Sequence, residues 1–478
     1  GKNIIWNHHL AVPFHTLDEV PELHYQPEKA NGNMIIEGDN LIALKALLPQ
    51  FAGKIKCIYI DPPYNTGNEG WIYNDKVNSP LIKDWFGKEV SKDELTKHDK
   101  WLCMMVPRLK LLFQLLSDSG VIFISIDDNE LSNLISFCNE IFGEENLIGV
   151  LPRITKKAGK TSDNISKNTD YIVVYKRAGN LEFEKIEIDD EGYKYSDEYE
   201  EERGKYKLSQ TLDYSSIQYS ASLDYEIDLD GEIFRPGNST KEEMEARIKR
   251  NPKSDWCWRW SRPLFEFGKE QGFIVIKESR NGKRIYTKTY SNAIIENTGS
   301  GYQIKLIERK KNATTLEFID NQYSNDNSRK EIEKIFGYKA FEYSKPSVLI
   351  KKIIELATDK NSLILDSFAG SGTTMHAVME LNKEDGGNRR CIMVQMTEAT
   401  EAEPEKNICK DITRERVKRA IDKYGYEAGF KYYRLGIPLD AETMLAGQLP
   451  TYKQFAKYVY YLCTGENLEA EDKINEAD

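Results

Sequence analysis

Four consecutive residues, Asp61, Pro62, Pro63 and Tyr64, place a carboxylate, two rigid prolines and an aromatic ring directly after the apolar run "CIYI" at 57–60. Pro62 and Pro63 cannot donate to a sheet ladder and their φ is fixed. A strand that reaches Asp61 therefore stops there, with the carboxylate, the backbone carbonyls and the Tyr64 ring held on a stiff corner. Such a corner suits a flat, conjugated, weakly nucleophilic amine of the kind carried by a purine or pyrimidine. The carboxylate and a rigid carbonyl each accept one N–H and draw the nitrogen lone pair out of conjugation, while Tyr64 stacks on the ring. That is catalysis by positioning and electrostatics. The same residue types also build ordinary strand-to-turn junctions, so the reading requires a second site that supplies an electrophile.

Residues 364–374, "ILDSFAGSGTT", have the form of that second site. An apolar strand ends at Asp366, and Gly370 and Gly372 then turn the chain into a helix whose first N–H groups are unpaired. The stretch is neither a GxGxxG fingerprint nor a P-loop, because no Gly-Lys-Ser/Thr follows. It fits a mononucleoside, which needs no phosphate cradle. Glu398, after the next strand, is positioned to bind ribose hydroxyls. In open α/β sheets, ligands lie outside the carboxyl ends of the strands where strand order reverses. If the strands ending at Asp61 and Asp366 are central neighbours, one end holds a nucleoside cofactor with a sulfonium methyl and the other its acceptor.

Taken together, "DPPY" and "FAGSGTT" resemble the motifs of S-adenosylmethionine-dependent amino methyltransferases acting on DNA adenine. The catalytic corner comes first, then a large insertion, then the cofactor loop, an order that resembles the β class. "GDNLIALKALL", "KHDKWLCMMVPRL", "GVIFISIDDNE", "EYSKPSVLI" and "DITRERVKRAI", with "WCWRWS" in the insertion, are similar to the modification subunit of type III restriction–modification systems. The resemblance implies an α/β fold: a doubly wound, seven-stranded methyltransferase sheet with its last strand reversed. To this are added an inserted α+β target recognition domain and a helical C-terminal tail. It implies that Asp61, Pro62, Pro63 and Tyr64 meet a flipped adenine. Asp366, Phe368, Ala369, Gly370, Gly372 and Thr373 would line S-adenosylmethionine, with Lys345 and Pro346 near its methionine end. Double-stranded DNA is the implied substrate. A homodimer and a separate helicase/nuclease restriction subunit are the implied partners, since no helicase or nuclease motif is visible in the chain. The rivals are methylation of cytosine N4, which has the same amine chemistry, and a catalytically silent DNA-binding specificity subunit.

The elements that must hold these sites alternate between strand and helix over 31–180 and again over 341–404, which predicts a mostly parallel sheet covered on both faces. Asp39 or Asn40 is expected to cap a helix carrying Leu41, Leu44, Leu47 and Leu48 on one face. The pattern around Pro107 predicts a helix running to Gly120. Residues 181–340, rich in Tyr and Trp and in turn signals, read as the insertion. An arm over 1–30 and a helical region over 405–478 flank the rest. In the latter, Tyr452, Phe455, Tyr458, Val459 and Leu462 form an apolar stripe suited to dimerisation.

At 478 residues the chain is too long for one core. No apolar run approaches a membrane span and no signal-peptide pattern is visible. The seven cysteines are scattered without a CxxC pair. These features lead to the expectation of a cytoplasmic protein with no metal centre. A net charge of −11 argues against a nucleic-acid partner, but only the contacting face need be basic. Residues 151–177 carry seven Lys/Arg against two Asp, and 277–311 carry nine against three Glu. Lys156, Lys157 and Lys160 in the first stretch, and Arg280, Lys283, Arg284 and Lys288 in the second, are the expected phosphate contacts.

Overall fold

The computed structural model describes residues 2–66, 97–157, 165–184, 186–187, 192–229, 231–279, 282–307 and 310–468. The chain forms two compact units, one of Gly1–Glu184 with Ala313–Asp478, the other of Lys185–Asn312.

The larger unit is built on one sheet of nine strands: β1 His15–Glu19, β2 Met34–Glu37, β3 Ile55–Ile60, β4 Leu116–Ile126, β5 Leu147–Ile154, β6 Thr169–Lys176, β7 Leu363–Asp366, β8 Arg390–Gln395 and β9 Lys431–Pro438. Their order across the sheet is β1-β9-β2-β8-β7-β3-β4-β6-β5. All pairs from β9 to β4 are parallel. β6 is antiparallel to both β4 and β5, so β5 runs parallel to β4 and one strand is reversed between them. The seven strands from β2 to β5 are the expected sheet. β9 and β1 extend it at one edge, so the region after 405 is not purely helical. Each residue of β7, and every residue from Val121 to Ile126 in β4, is buried. Strands covered on both faces read as continuous apolar runs, and these do.

The helices of this unit are α1 Lys2–Ala11, α2 Asn40–Phe51, α3 Lys97–Leu115, α4 Leu131–Phe142, α5 Asn325–Phe336, α6 Ser347–Ala357, α7 Thr373–Asp385, α8 Glu415–Tyr424 and α9 Tyr452–Thr464, besides short turns. Asp39 caps α2, its side chain accepting from Leu41 N at 2.7 Å, and Leu41, Leu44, Leu47 and Leu48 are buried. α3 passes through Pro107 but ends at Leu115, five residues before Gly120. Gly120 is not a helix cap: a Cβ there would lie 2.8 Å from Ser117 O and 2.9 Å from Ile55 O, where β4 crosses β3 at a register shift. Close backbone approach, not helix termination, requires this glycine.

Residues 313–340, which the sequence pattern assigns to the insertion, belong to the larger unit. Arg153 of β5 donates to Tyr323 O at 2.8 Å, tying this segment to the sheet. In α9, Tyr458 and Tyr461 pack on Phe14 with ring centroids 5.1 and 6.2 Å away, while Tyr452, Phe455, Val459 and Leu462 are exposed. Among the described residues no helix is long and apolar enough to cross a membrane, and no cluster of His, Cys, Asp and Glu is arranged to hold a metal ion.

The smaller unit is a mixed α+β body. A three-stranded antiparallel sheet of Tyr206–Thr211, Gly282–Tyr290 and Ile274–Ser279 is joined by two-stranded ribbons and by the helices Lys241–Arg250 and Arg262–Glu270. Leu212, Tyr225, Ile227, Leu229, Phe234, Trp258, Phe265 and Ile285 form its main core. Trp258 of "WCWRWS" is a core residue whose indole N–H donates to Tyr225 O at 2.7 Å.

Candidate active site

β3 and β7 are parallel neighbours with Ile58 opposite Leu365, so the chain leaves both strands at the same edge of the sheet. Asp61 follows β3 and Asp366 closes β7. Beyond Asp61 the two prolines end the ladder. The Trp101 indole, from α3, donates to Pro63 O at 2.7 Å and pins the corner from behind.

Each oxygen of the Asp61 carboxylate holds one partner and keeps a further lone pair for another donor. Oδ1 accepts from the Tyr64 hydroxyl at 2.8 Å, and Oδ2 accepts from Lys345 Nζ at 2.5 Å. Lys345 Nζ also donates to the Tyr64 hydroxyl at 2.9 Å and stands 5.0 Å from the Tyr64 ring centroid. The Tyr64 hydroxyl lies 3.4 Å from Asp170 Oδ2. Asp170 in turn holds the fully buried Arg153 through two N–H groups, one of them Nε at 2.8 Å, and Arg153 reaches Asn325 Oδ1 at 3.1 Å. Burial, then the Asp61 and Asp170 carboxylates, push the Tyr64 pKa well above the ordinary phenol range, so its hydroxyl keeps its proton and donates. Burial alone would lower Arg153, but Asp170 more than reverses this and holds it charged. The motif thus sits in a connected series, Arg153–Asp170–Tyr64–Asp61–Lys345, in which a neutral phenol lies between two carboxylates and a cation stands at either end. Arg153 and Asp170 were invisible as site residues in the sequence, where Arg153 counted only toward a basic run.

The glycine turn is shaped by Asp366. Its Oδ1 accepts from Phe368 N at 2.9 Å and its Oδ2 from the Thr374 hydroxyl at 2.5 Å; burial pushes its pKa up to about 7. This carboxylate is turned into the loop's own framework. Phe368 and Ala369 are buried, and Gly370 and Gly372 have φ of +52° and +82°. Gly370 N–H donates to Gln395 Oε1 at 2.8 Å, and Gln395 Nε2 donates to Glu398 Oε1 at 3.0 Å. Glu398 thereby stands beside the turn, at φ +57°, a backbone state that few non-glycine residues adopt. Burial raises its pKa. Thr373 Oγ1 donates to Lys345 O at 3.3 Å, and Pro346 leads into α6. Among the described residues, Ser367 Oγ is buried with no hydrogen-bond partner.

The expected phosphate contacts divide. Lys156 is half-buried and Lys157 exposed, in the loop after β5, at the same sheet edge as Asp61. Lys160 and Arg280 lie outside the described residues. In the smaller unit Lys283 pairs with Glu232 at 2.7 Å on the surface. Arg284 is instead committed to the buried Asp213 at 2.7 Å, and Lys288 to the largely buried Asp197 at 2.6 Å. Those two basic side chains neutralise internal carboxylates, which a count of charges along the chain cannot reveal.

The strand order, the one strand reversed among the seven from β2 to β5 and the two loaded strand ends define a class: the doubly wound methyltransferase architecture, with a glycine turn on one central strand and an acidic corner on its neighbour. The DNA methylase family description matches residues 55–435, and the chain belongs to that family. It is 33% identical over 455 residues to the type III restriction-modification enzyme StyLTI Mod subunit of Salmonella typhimurium, covering 88% of this chain and 63% of that protein. It is 31% identical to the EcoPI Mod subunit of Escherichia phage P1, over 81% of this chain and 61% of that one. It is 32% identical to the type II methyltransferase M.KpnI of Klebsiella pneumoniae, over 79% and 84%. The chain thus spans 61–63% of the length of these two Mod subunits. Among solved structures, PvuII DNA methyltransferase (cytosine-N4-specific) matches 83% of this chain and 94% of its own, with a TM-score of 0.35 and 10% identity.

Proposed function

We propose that this chain transfers a methyl group from S-adenosylmethionine to the N6 amino group of an adenine swung out of duplex DNA, as the modification part of a restriction–modification system. The observation that carries the reading is the juxtaposition of the Asp61 carboxylate and the 366–374 glycine turn on adjacent parallel strand ends.

The residues of the turn fit the cofactor. The positive φ of Gly370 opens a backbone cradle, the orphaned Ser367 hydroxyl is available to a ligand, and no phosphate-binding lysine belongs to the turn. Phe368, Ala369 and Gly370 would hold the nucleoside, Glu398 the ribose hydroxyls, and Lys345 would face the methionine end. When bound, the cofactor supplies an electrophilic methyl on a sulfonium. Asp61 accepts one N–H of the acceptor amine. Since the Pro63 carbonyl is taken by Trp101, the Pro62 carbonyl is the one assigned to the second N–H. Together they localise the lone pair on nitrogen. Tyr64 contributes its ring face to the flipped base and its hydroxyl to the orientation of Asp61. Lys156 and Lys157 are assigned to the flanking phosphates, and the exposed residues of α9 to a second copy of the chain.

Sequencing of modified bases in DNA from cells expressing the chain tests this reading. N6-methyladenine at a defined motif, lost in Asp61→Ala, is the expected result. N4-methylcytosine would move the assignment to the other amine, and an unmodified genome with intact protein would overturn it.

A further inference from the structure

We infer that Thr413 and Arg416 form a clamp behind the cofactor turn, acting as positioning residues that set the turn's place relative to Lys345. This rests on the reading of 366–374 as the S-adenosylmethionine site.

The stretch "DITRERVKRAI" has no role in the chemistry above, yet its start departs from regular helix. Cys409–Arg414 is a π-helical turn leading straight into α8. Such turns insert an extra residue into a helix, re-aim the side chains around it, and concentrate at functional sites. Here two side chains that follow one another on the same helical face meet the back of the glycine turn. The Thr413 hydroxyl donates to Gly370 O at 2.6 Å. Thr413 O packs so closely on Gly372 that a Cβ there would lie 2.8 Å away.

Arg416 is wholly buried. Its Nη1 lies within hydrogen-bond distance of three hydroxyls: Ser371 at 2.8 Å and Thr373 at 2.6 Å in the turn, and Ser344 at 3.0 Å beside Lys345. Its Nη2 pairs with Glu331 Oε1 at 3.0 Å and approaches His376 Nδ1 at 3.5 Å. The other oxygen of Glu331 accepts from Ser347 N at 3.0 Å, two residues after Lys345. Burial alone would raise the Glu331 pKa, but Arg416 and His376 reverse this and hold it ionised. One guanidinium therefore ties the cofactor turn, the Lys345 segment and the start of α6 into one rigid frame. A buried ion pair is weak evidence for stability, because an apolar replacement often packs as well. What a planar fork supplies and an apolar side chain cannot is fixed direction toward several acceptors at once. The segment it directs on one side carries Lys345, which touches Asp61; the segment on the other carries the turn.

The test uses variants that leave the Arg416–Glu331 pair intact. Thr413→Val removes the hydroxyl that donates to Gly370 O and also lies 3.2 Å from Ile408 O, and Ser371→Ala removes one acceptor of the guanidinium. Calorimetry with S-adenosylmethionine, melting temperature, and kinetics with varied cofactor and varied duplex are the measurements. Each variant is expected to weaken cofactor affinity about tenfold, the scale of one hydrogen bond. The KM for the cofactor should rise, the KM for DNA should hold, and the melting temperature should stay near wild type. Arg416→Lys, which keeps the charge beside Glu331, should fold and show the larger loss of cofactor affinity. Unchanged cofactor affinity in Thr413→Val and Ser371→Ala, in a preparation whose wild type binds, would reduce the clamp to a structural brace and overturn the inference. Absence of binding by the wild-type chain would instead overturn the cofactor reading on which the clamp stands.

Discussion

Lys345 and Asp61 are 284 positions apart in the chain, and the ammonium of one meets the carboxylate of the other at 2.5 Å. The lysine belongs to the segment that precedes α6 and the aspartate to the end of β3, so the contact spans the two halves of the site. It places a cation on one oxygen of the carboxylate that the proposed reaction assigns to the acceptor amine, and together with Tyr64 it orients that carboxylate.

Replacing Lys345 by Met should therefore lower kcat while leaving duplex affinity near wild type. A hydrogen bond to a charged group contributes about 1.5–3 kcal/mol, which corresponds to roughly 10- to 150-fold. Asp61→Ala should abolish methyl transfer while cofactor binding persists. Single-turnover kinetics and calorimetry check both, and Lys345→Met turnover at the wild-type rate would remove the lysine from the site.

Tyr64 separates two contributions. Tyr64→Phe keeps the ring but releases the hydroxyl from Asp61, and should slow methyl transfer about tenfold. Tyr64→Ala should cost a further 1–3 kcal/mol or so of base stacking, read as weaker capture of a fluorescent base analogue at the target position. Equal effects of Phe and Ala on capture would mean that stacking is not the ring's role.

Two kinds of basic residue share the stretch 151–177. Arg153→Met strands the buried Asp170 carboxylate and should destabilise the fold by about 3–5 kcal/mol, measured by denaturant unfolding. Neutralising Lys156 and Lys157 should leave stability unchanged. It should flatten the salt dependence of duplex binding by about 0.9 in log–log slope for each phosphate that is no longer neutralised. An unchanged slope would assign both lysines to a solvated face.

The two glycines of the cofactor turn should fail differently. Gly372→Ala meets Thr413 O at 2.8 Å from a left-handed backbone and should unfold at lower temperature. Gly370→Ala carries the same left-handed strain, but its Cβ would find its nearest neighbour, Phe341, at 3.7 Å, so it should lose cofactor affinity with less loss of stability. Calorimetry and thermal melts on the pair distinguish the two.

Acid should weaken the packing of α1. His8 and His9 are buried; burial first, then Arg108 for His8 and Lys110 and Lys45 for His9, lower both pKa values from 6.5 to about 4. Above pH 6.5 both rings are neutral in either state. As pH falls from 6.5 toward 4, the unfolded chain takes up protons that the folded chain refuses, so stability is lost along that limb. Denaturant midpoints measured across this window should fall less steeply for a His8→Asn, His9→Asn double variant than for the parent.

The corner and the turn were legible in the sequence because their constraints are local. Pro62 and Pro63 stop a ladder wherever they occur, Gly370 and Gly372 permit positive φ whatever surrounds them, and unbroken apolar runs such as 57–60 mark strands covered on both faces. The parallel sheet, the reversed strand and the mixed insertion followed from those signals and from the resemblance they revealed. Which side chains meet across the fold was decided by tertiary structure alone. The 116–120 stretch has a helical pattern but runs into β4 because β3 lies beside it, and 431–438 becomes β9 because β2 offers it an edge. Arg153, Arg284 and Lys288 look like free positive charge in a composition count. Each is spent on a buried or largely buried carboxylate, Asp170, Asp213 or Asp197. Lys345 on Asp61, and Arg416 on Ser344, Ser371 and Thr373, join segments that no periodicity connects. Residue type sets what a group can donate or accept, but its partner is whichever group the packed sheet and helices bring within about 3 Å, out of water, where a hydrogen bond is directional and an unpaired charge is costly.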